Sequence, residues 1–308
     1  MKTSEKNNQK ELNNLKPVIN AVNLSKDYGG HRGLFDLNLS VFEGEIFGLI
    51  GPNGSGKSTF IRLIMDLIRP TSGSVHIFGA SSKTHARWVM DLIGYIPGEL
   101  PRFPGLSARY IIEELAGLRS DVDFAYVHEL SQRLQLDLNL KYEELSHGNK
   151  QKMMLIQAFM HMPKLLVLDE PTLGLDPIIQ REFTNLVSEV RDQGCAVILS
   201  SHVLADIERI CDRIGLIING NLVKVGTLSE LRESKVHDVE IVCNNHFDHS
   251  KLLEIKNLQN LELDGSTISA RVSGPMGPFL KAISELDVLE FDSRELSLEE
   301  VFFSEFSR

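Results

Sequence analysis

With 308 residues and 42% hydrophobic composition, the chain is long enough for two domains with ordinary apolar cores. Its formal charge of −10 speaks against sequence-independent binding of nucleic acid, which needs a basic face. No stretch approaches the roughly 18 uninterrupted apolar residues of a bilayer span, and the cysteines (Cys195, Cys211, Cys243) share no metal or disulfide spacing, as fits a reducing cytosol.

Residues 1–16 are rich in Asn, Lys and Glu and read as a frayed tail without the apolar core of a signal peptide. Val18–Leu24 alternates as an edge strand does and runs into Ser25-Lys-Asp-Tyr28-Gly-Gly, expected to be a turn carrying an aromatic ring. Leu34–Val41 is a second alternating strand, and Glu45–Ile50 a short apolar one. Residues 51–59, Gly-Pro-Asn-Gly-Ser-Gly-Lys-Ser-Thr, come next, followed by the helical pattern Phe60, Ile61, Leu63, Ile64, Leu67.

Strand, Gly-rich loop and helix form the context of a phosphate-binding loop. Without side chains at Gly51, Gly54 and Gly56, successive N–H groups can surround a polyphosphate, and the helix that follows aims its positive end at the same anion. Pro52, Asn53, Ser55 and Thr59 belong to the same loop. Lys57 is placed for the β- and γ-phosphates, and the Ser58 hydroxyl for Mg²⁺. A surface Gly loop is the plainer alternative, which the flanking strand and helix outweigh.

Beyond this, Ser74–Phe78 reads as a strand, 84–92 as a helix and Ile93–Ile96 as a short buried strand ending at Pro97-Gly98-Glu99. Helical periodicity covers 109–118, 124–136 and 145–160, so that 85–160 stands out as a helical insert in an α/β core. Strands return at Leu165–Leu168, Ala196–Leu199 and Arg213–Ile218, the last joined to Asn221–Val225 through the hairpin turn Asn219-Gly220, with helices at 178–192 and 203–210. From about 235 to 308 the order becomes β-α-β-β-α-β, with strands at 238–242, 261–263, 267–272 and 288–291 and helices at 251–255, 279–286 and 298–306, which suggests a small split-βαβ domain. The nucleotide-binding part is thus expected at 17–232.

The buried strand Leu165–Leu168 ends in Asp169-Glu170-Pro171. Carboxylates at a strand's C-terminal end sit where ligands bind in open α/β sheets. Asp169 is expected to hold Mg²⁺ and Glu170 to accept the proton of the attacking water. Alone, these could be solvated acids; beside a phosphate loop they read as its metal side.

The chain resembles the nucleotide-binding subunit of an ATP-binding-cassette (ABC) transporter over about residues 17–230. Leu145-Ser-His-Gly-Asn-Lys-Gln151 matches the family's Leu-Ser-Gly-Gly-Gln signature at Leu145, Ser146 and Gly148. Gly174-Leu-Asp176 matches the loop after the carboxylate motif, and Ser200-Ser-His202 the switch histidine. Tyr28 falls where the family stacks an aromatic ring on adenine. The bland readings are a helix N-cap for Ser146, a surface histidine for His202 and a covered strand edge for Tyr28.

The resemblance implies a P-loop core of ABC type: a mixed sheet, an antiparallel β-subdomain and a helical insert, with the small C-terminal α+β domain beside it. It implies ATP and Mg²⁺ at the site and hydrolysis driven by Lys57, Glu170 and His202. It also implies a head-to-tail homodimer or heterodimer, in which Ser146 and Gly148 complete the site of a second nucleotide-binding subunit, and it counts Asn149 and Asp176 among the nucleotide-binding residues. A separate integral membrane permease would hold the chain at the cytoplasmic face of the membrane, with the helical insert as its docking surface. Three departures bear on hydrolysis rate and coupling: Gly98 stands where the family usually has Gln, His147 and Asn149 vary the signature, and Leu173 replaces a Ser. The variant signature and the tail Leu298–Phe302 look most like the bacterial antibiotic- and drug-export branch. A soluble cassette ATPase acting on ribosomes or DNA would carry two cassettes, coiled coils or a basic face, and a small-molecule kinase would have no use for 145–151 or 200–202.

Overall fold

The computed structural model describes residues 16–81, 87–119, 121–228, 236–244, 257–284 and 286–296, with residues 230, 252 and 255 between them. The chain forms two compact units, Met1–Gly226 and Thr227–Arg308.

In the first unit, β1 (Pro17–Gly29), β2 (Arg32–Phe42), β4 (Ser72–Ile77) and β5 (Ala80–Ser81) make an antiparallel sheet in the order β2-β1-β4-β5. β1 is therefore an interior strand, and the expectation of an edge strand is corrected. Its alternation arises from one buried face, Val18, Ile19, Ala21 and Leu24, and irregular register lets polar residues bulge outward. Tyr28 is corrected likewise: β1 runs through Gly29, so the ring stands on a strand, and the turn is at Gly30-His31.

The second sheet has the order β10-β9-β3-β8-β7-β6, built from β3 (Ile46–Ile50), β6 (Ile93–Ile96), β7 (Leu165–Asp169), β8 (Ala196–Ser201), β9 (Arg213–Ile218) and β10 (Asn221–Thr227). From β9 through β6 the neighbours pair in parallel. β3, β7 and β8 are buried at every residue, as parallel strands covered on both faces must be, and up to the polar residues that end β7 and β8 their sequences are accordingly apolar runs rather than alternations. Asn219 and Gly220 join β9 to β10 with φ of 45° and 78°, the left-handed pair that this hairpin turn demands.

Helix α1 (Lys57–Ile64) buries Phe60, Ile61, Leu63 and Ile64 in a core shared with both sheets, including Leu37 of β2, Val75 of β4 and Val167 of β7. Each such side chain contributes roughly 1.5–3 kcal/mol of burial, so the helix that begins at the phosphate loop is fixed by its far side. The stretch 85–160 carries α2 (Arg87–Asp91), α3 (Ala108–Gly117), α4 (Phe124–Arg133) and α5 (His147–Phe159), but also β6, a strand of the core sheet. Helices α6 (Pro177–Asp192) and α7 (Leu204–Ile210) complete the unit.

The second unit is an antiparallel sheet of β11 (Val236–Cys243), β12 (Leu258–Asp264), β13 (Thr267–Ser273) and β14 (Val288–Glu295) in the order β12-β13-β11-β14, with α8 (Gly277–Ile283). β11 between β13 and β14 is the split-βαβ arrangement, and Val239, Ile241, Ile268, Val272 and Phe279 form its own core. The helix read at 298–306 lies outside the described residues, as does most of that at 251–255.

Candidate functional site

Because β3, β7 and β8 run parallel, their C-terminal ends share one edge of the sheet. The loop Gly51–Gly56 leaves β3 there, Asp169-Glu170 ends β7, and Ser200-Ser201-His202 ends β8. The loop, more than a hundred residues before the other two stretches, thus meets them at the position where open α/β sheets bind ligands.

The loop is held in shape by its neighbours. Gly220 N–H donates to the Ser55 carbonyl at 2.8 Å, while the Gly220 carbonyl accepts from Phe35 N–H at 2.7 Å, so the loop, the β9–β10 turn and β2 are stapled together. A Cβ on Gly51 would fall 2.1 Å from the Ile217 carbonyl oxygen, so only glycine fits there. The Lys57 ammonium is buried and folds back onto the loop, donating to the carbonyls of Gly51 at 2.7 Å and Pro52 at 3.2 Å. Burial pulls its pKa down, and the carboxylates of Glu170 and Asp169 oppose that shift. The Ser55 hydroxyl is buried with no hydrogen-bond partner, and no side chain caps the first turn of α1. Those free N–H groups and the stranded hydroxyl suit an anion with several oxygens.

Across the cleft, Asp169 is buried and its Oδ1 accepts from the Ser200 hydroxyl at 2.6 Å. Its Oδ2 faces the place that a Cβ on Gly98 would fill, 2.7 Å away. Glu170 turns out of the strand with φ of 51°, and its carboxylate lies between Lys57, 4.0 Å from Oε1, and His202, whose Nδ1 is 2.8 Å from Oε2. A cleft of about 290 Å³ is lined by the loop, Lys57, Asp169 and Glu170 together with Ser58, Thr59 and Glu99, while His202 stands outside its lining.

Tyr28 is 52% exposed, with the Lys26 ammonium 5.4 Å from its ring centroid. It neighbours Asp27, which pairs with Gly33, and Gly33 in turn lies against Gly56 of the loop. The signature residues do not line this cleft. Ser146 is the N-cap of α5, its hydroxyl accepting from Asn149 N–H at 3.2 Å, and Gly148 and Asn149 are half-buried in the first turn. Asp176 caps α6, accepting from the N–H groups of Ile178 and Ile179 at 3.0 Å each.

Two residues escaped sequence reasoning. Ser200 joins both carboxylate residues, and buried Gln151 donates to the Pro171 carbonyl at 2.9 Å, tying α5 to the segment after Glu170. Nothing local in either sequence window announces these bonds.

Strand, phosphate loop, helix and a parallel strand one place beyond β8 that ends in paired acids define a P-loop nucleoside triphosphatase. Comparison with known proteins narrows this. The family model described as "ABC transporter" matches residues 34–173. The ABC transporter ATP-binding protein YtrB of Bacillus subtilis is 33% identical over 292 residues, covering 94% of this chain and 98% of the relative. The bacitracin transport ATP-binding protein BcrA of Bacillus licheniformis is 32% identical over 295 residues, covering 92% and 96%. A solved dimeric structure of MJ0796, a bacterial ABC transporter cassette, superposes with a TM-score of 0.61 at 26% identity, over 68% of this chain and 98% of that one. The chain belongs to the ABC transporter family as an ATP-binding, ATP-hydrolysing subunit.

Proposed function

We propose that this chain energises a separate membrane-embedded exporter of drugs, antibiotics or other amphipathic compounds, from the cytoplasmic face of the membrane and paired with a second nucleotide-binding subunit. The reading of the site rests on one observation: Lys57, Asp169, Glu170 and His202 converge on one sheet edge, with Lys57 and His202 on either side of the Glu170 carboxylate. Relatives such as BcrA, described as a bacitracin transport protein, support the choice of cargo.

In this reading the loop N–H groups of 53–58 and the Lys57 ammonium bind the β- and γ-phosphates of ATP, and Tyr28 stacks on adenine. The Ser58 hydroxyl and the Asp169 carboxylate would hold Mg²⁺, a fit favoured by their lining the same cleft as the phosphate loop. The bound ion would supply charge neutralisation on the phosphate oxygens. Glu170 takes the proton of the attacking water, and His202, oriented by that same carboxylate, contacts the γ-phosphate. Ser146, Gly148, Asn149 and Asp176 sit outside the chain's own cleft, which is why a second subunit is needed: they serve the nucleotide of the partner.

The test is Glu170→Gln in the full chain. Turnover should fall by at least about 100-fold, the scale of a lost general base, while ATP still binds and now holds a stable dimer by light scattering. Wild-type turnover would remove Glu170 as the base. Tagged Glu170→Gln protein drawn from detergent-solubilised membranes with ATP should bring a polytopic membrane protein in stoichiometric amount; ribosomes in its place would end the transport reading.

A further inference from the structure

Ser200 has no role in the reading above, yet its hydroxyl hydrogen-bonds both Asp169 and Glu170. It is fully buried in β8, and the β7–β8 ladder sets it directly opposite Asp169. A hydroxyl has one proton to give and lone pairs to receive. Asp169 Oδ1, 2.6 Å away, is a carboxylate and can only accept, so the proton goes there in a short charge-assisted bond. The lone pairs then face the N–H of Glu170 at 3.0 Å. Glu170 follows directly on the last residue of β7 and takes a left-handed conformation with φ of 51°. For a residue with a side chain such a conformation costs about 1–2 kcal/mol, and here the acceptor for its N–H is Ser200.

We propose that Ser200 is a positioning residue for ATP hydrolysis: one hydroxyl orients Asp169 through Oδ1 and holds the turn that points the Glu170 carboxylate at Lys57 and His202. It occupies Oδ1 and leaves Oδ2 facing Gly98. It also anchors the end of β8 two residues before His202, so that the acid and the histidine that meet at 2.8 Å are referred to the same strand position. Ser200 touches neither nucleotide nor the reacting water, and its effect passes through Asp169 and Glu170. The inference rests on Glu170 as the base.

The experiment compares full-length wild type, Ser200→Ala, Ser200→Cys, Ser200→Thr and Glu170→Gln. Protein in excess over radiolabelled ATP gives the single-turnover rate, and calorimetry gives ATP affinity. Ser200→Ala and Ser200→Cys, which remove or weaken the donor at little change in volume, should slow hydrolysis by roughly 10- to 100-fold while ATP affinity stays within about 3-fold, since the phosphate loop is untouched. Ser200→Thr keeps the hydroxyl and should recover most of the rate. A merely structural serine would lower the melting temperature and leave the rate per folded molecule unchanged. Wild-type rates in Ser200→Ala or Ser200→Cys, or a loss that Ser200→Thr does not restore, would overturn the proposal while Glu170→Gln remains inactive. Hydrolysis by Glu170→Gln at the wild-type rate would instead strike down the assignment of the base itself.

Discussion

The first turn of α1 and the first turns of α5 and α6 present the same chemistry, three or four N–H groups without helical partners, and treat it in opposite ways. At α5 and α6 the chain satisfies its own donors, through Ser146 and Asp176. At α1 the capping position is Gly56, which offers no side chain, and the adjacent Ser55 hydroxyl is buried without a partner. The contrast shows where this chain expects a ligand. A helix start completed from within can present itself to a neighbour without collapsing, whereas one left incomplete has a standing demand for an anion.

The contrast can be broken most severely at Gly51. Gly51→Ala would drive a Cβ into the Ile217 carbonyl, 2.1 Å away, so the loop has to move. Urea unfolding should show a loss of roughly 3 kcal/mol or more, with calorimetric ATP binding lost alongside. On the closed side, Arg133 of α4 binds Glu182 at 2.5 Å and Glu189 at 2.6 Å, both on α6, and approaches Glu129 at 3.5 Å. Arg133→Ala should cost about 1–2 kcal/mol, because a bridged guanidinium in a network is worth more than an isolated surface pair. Added salt should shrink the difference between the two proteins, and a variant as stable as wild type would mean that α4 and α6 are held by packing alone. The smallest effect is expected at Ser146→Ala, about 1 kcal/mol for a lost N-cap, with the ATP affinity of the isolated subunit unchanged. A drop in that affinity would place Ser146 in the chain's own cleft and erase the contrast.

What was legible in the sequence was local. Gly51–Thr59 announces loop and helix because the glycines, the lysine and the apolar spacing lie within one short window, and β3 and β7 announce burial by unbroken apolar runs. The sequence around Tyr28 suggests a turn because Gly29-Gly30 follows it, but pairing with β2 carries the strand through Gly29. The pattern of β1 suggests an edge because alternation reports one wet face and says nothing about neighbours. β5, two residues long, has too little pattern to find. Ser200, Gln151 and Arg133 were invisible for a different reason. Their partners lie 31, 20 and up to 56 positions away, and only strand register or helix packing brings them together.

Gly98 couples two positions of the cleft. Asp169 Oδ2 stands 2.7 Å from where the first carbon of any side chain at 98 would begin, and the atoms nearest that point all belong to the Asp169 side chain. A residue larger than glycine at 98 and the present Asp169 rotamer therefore cannot coexist. Installing one would turn aside the carboxylate that Ser200 holds by Oδ1, so that a change at 98 is also a change at 169.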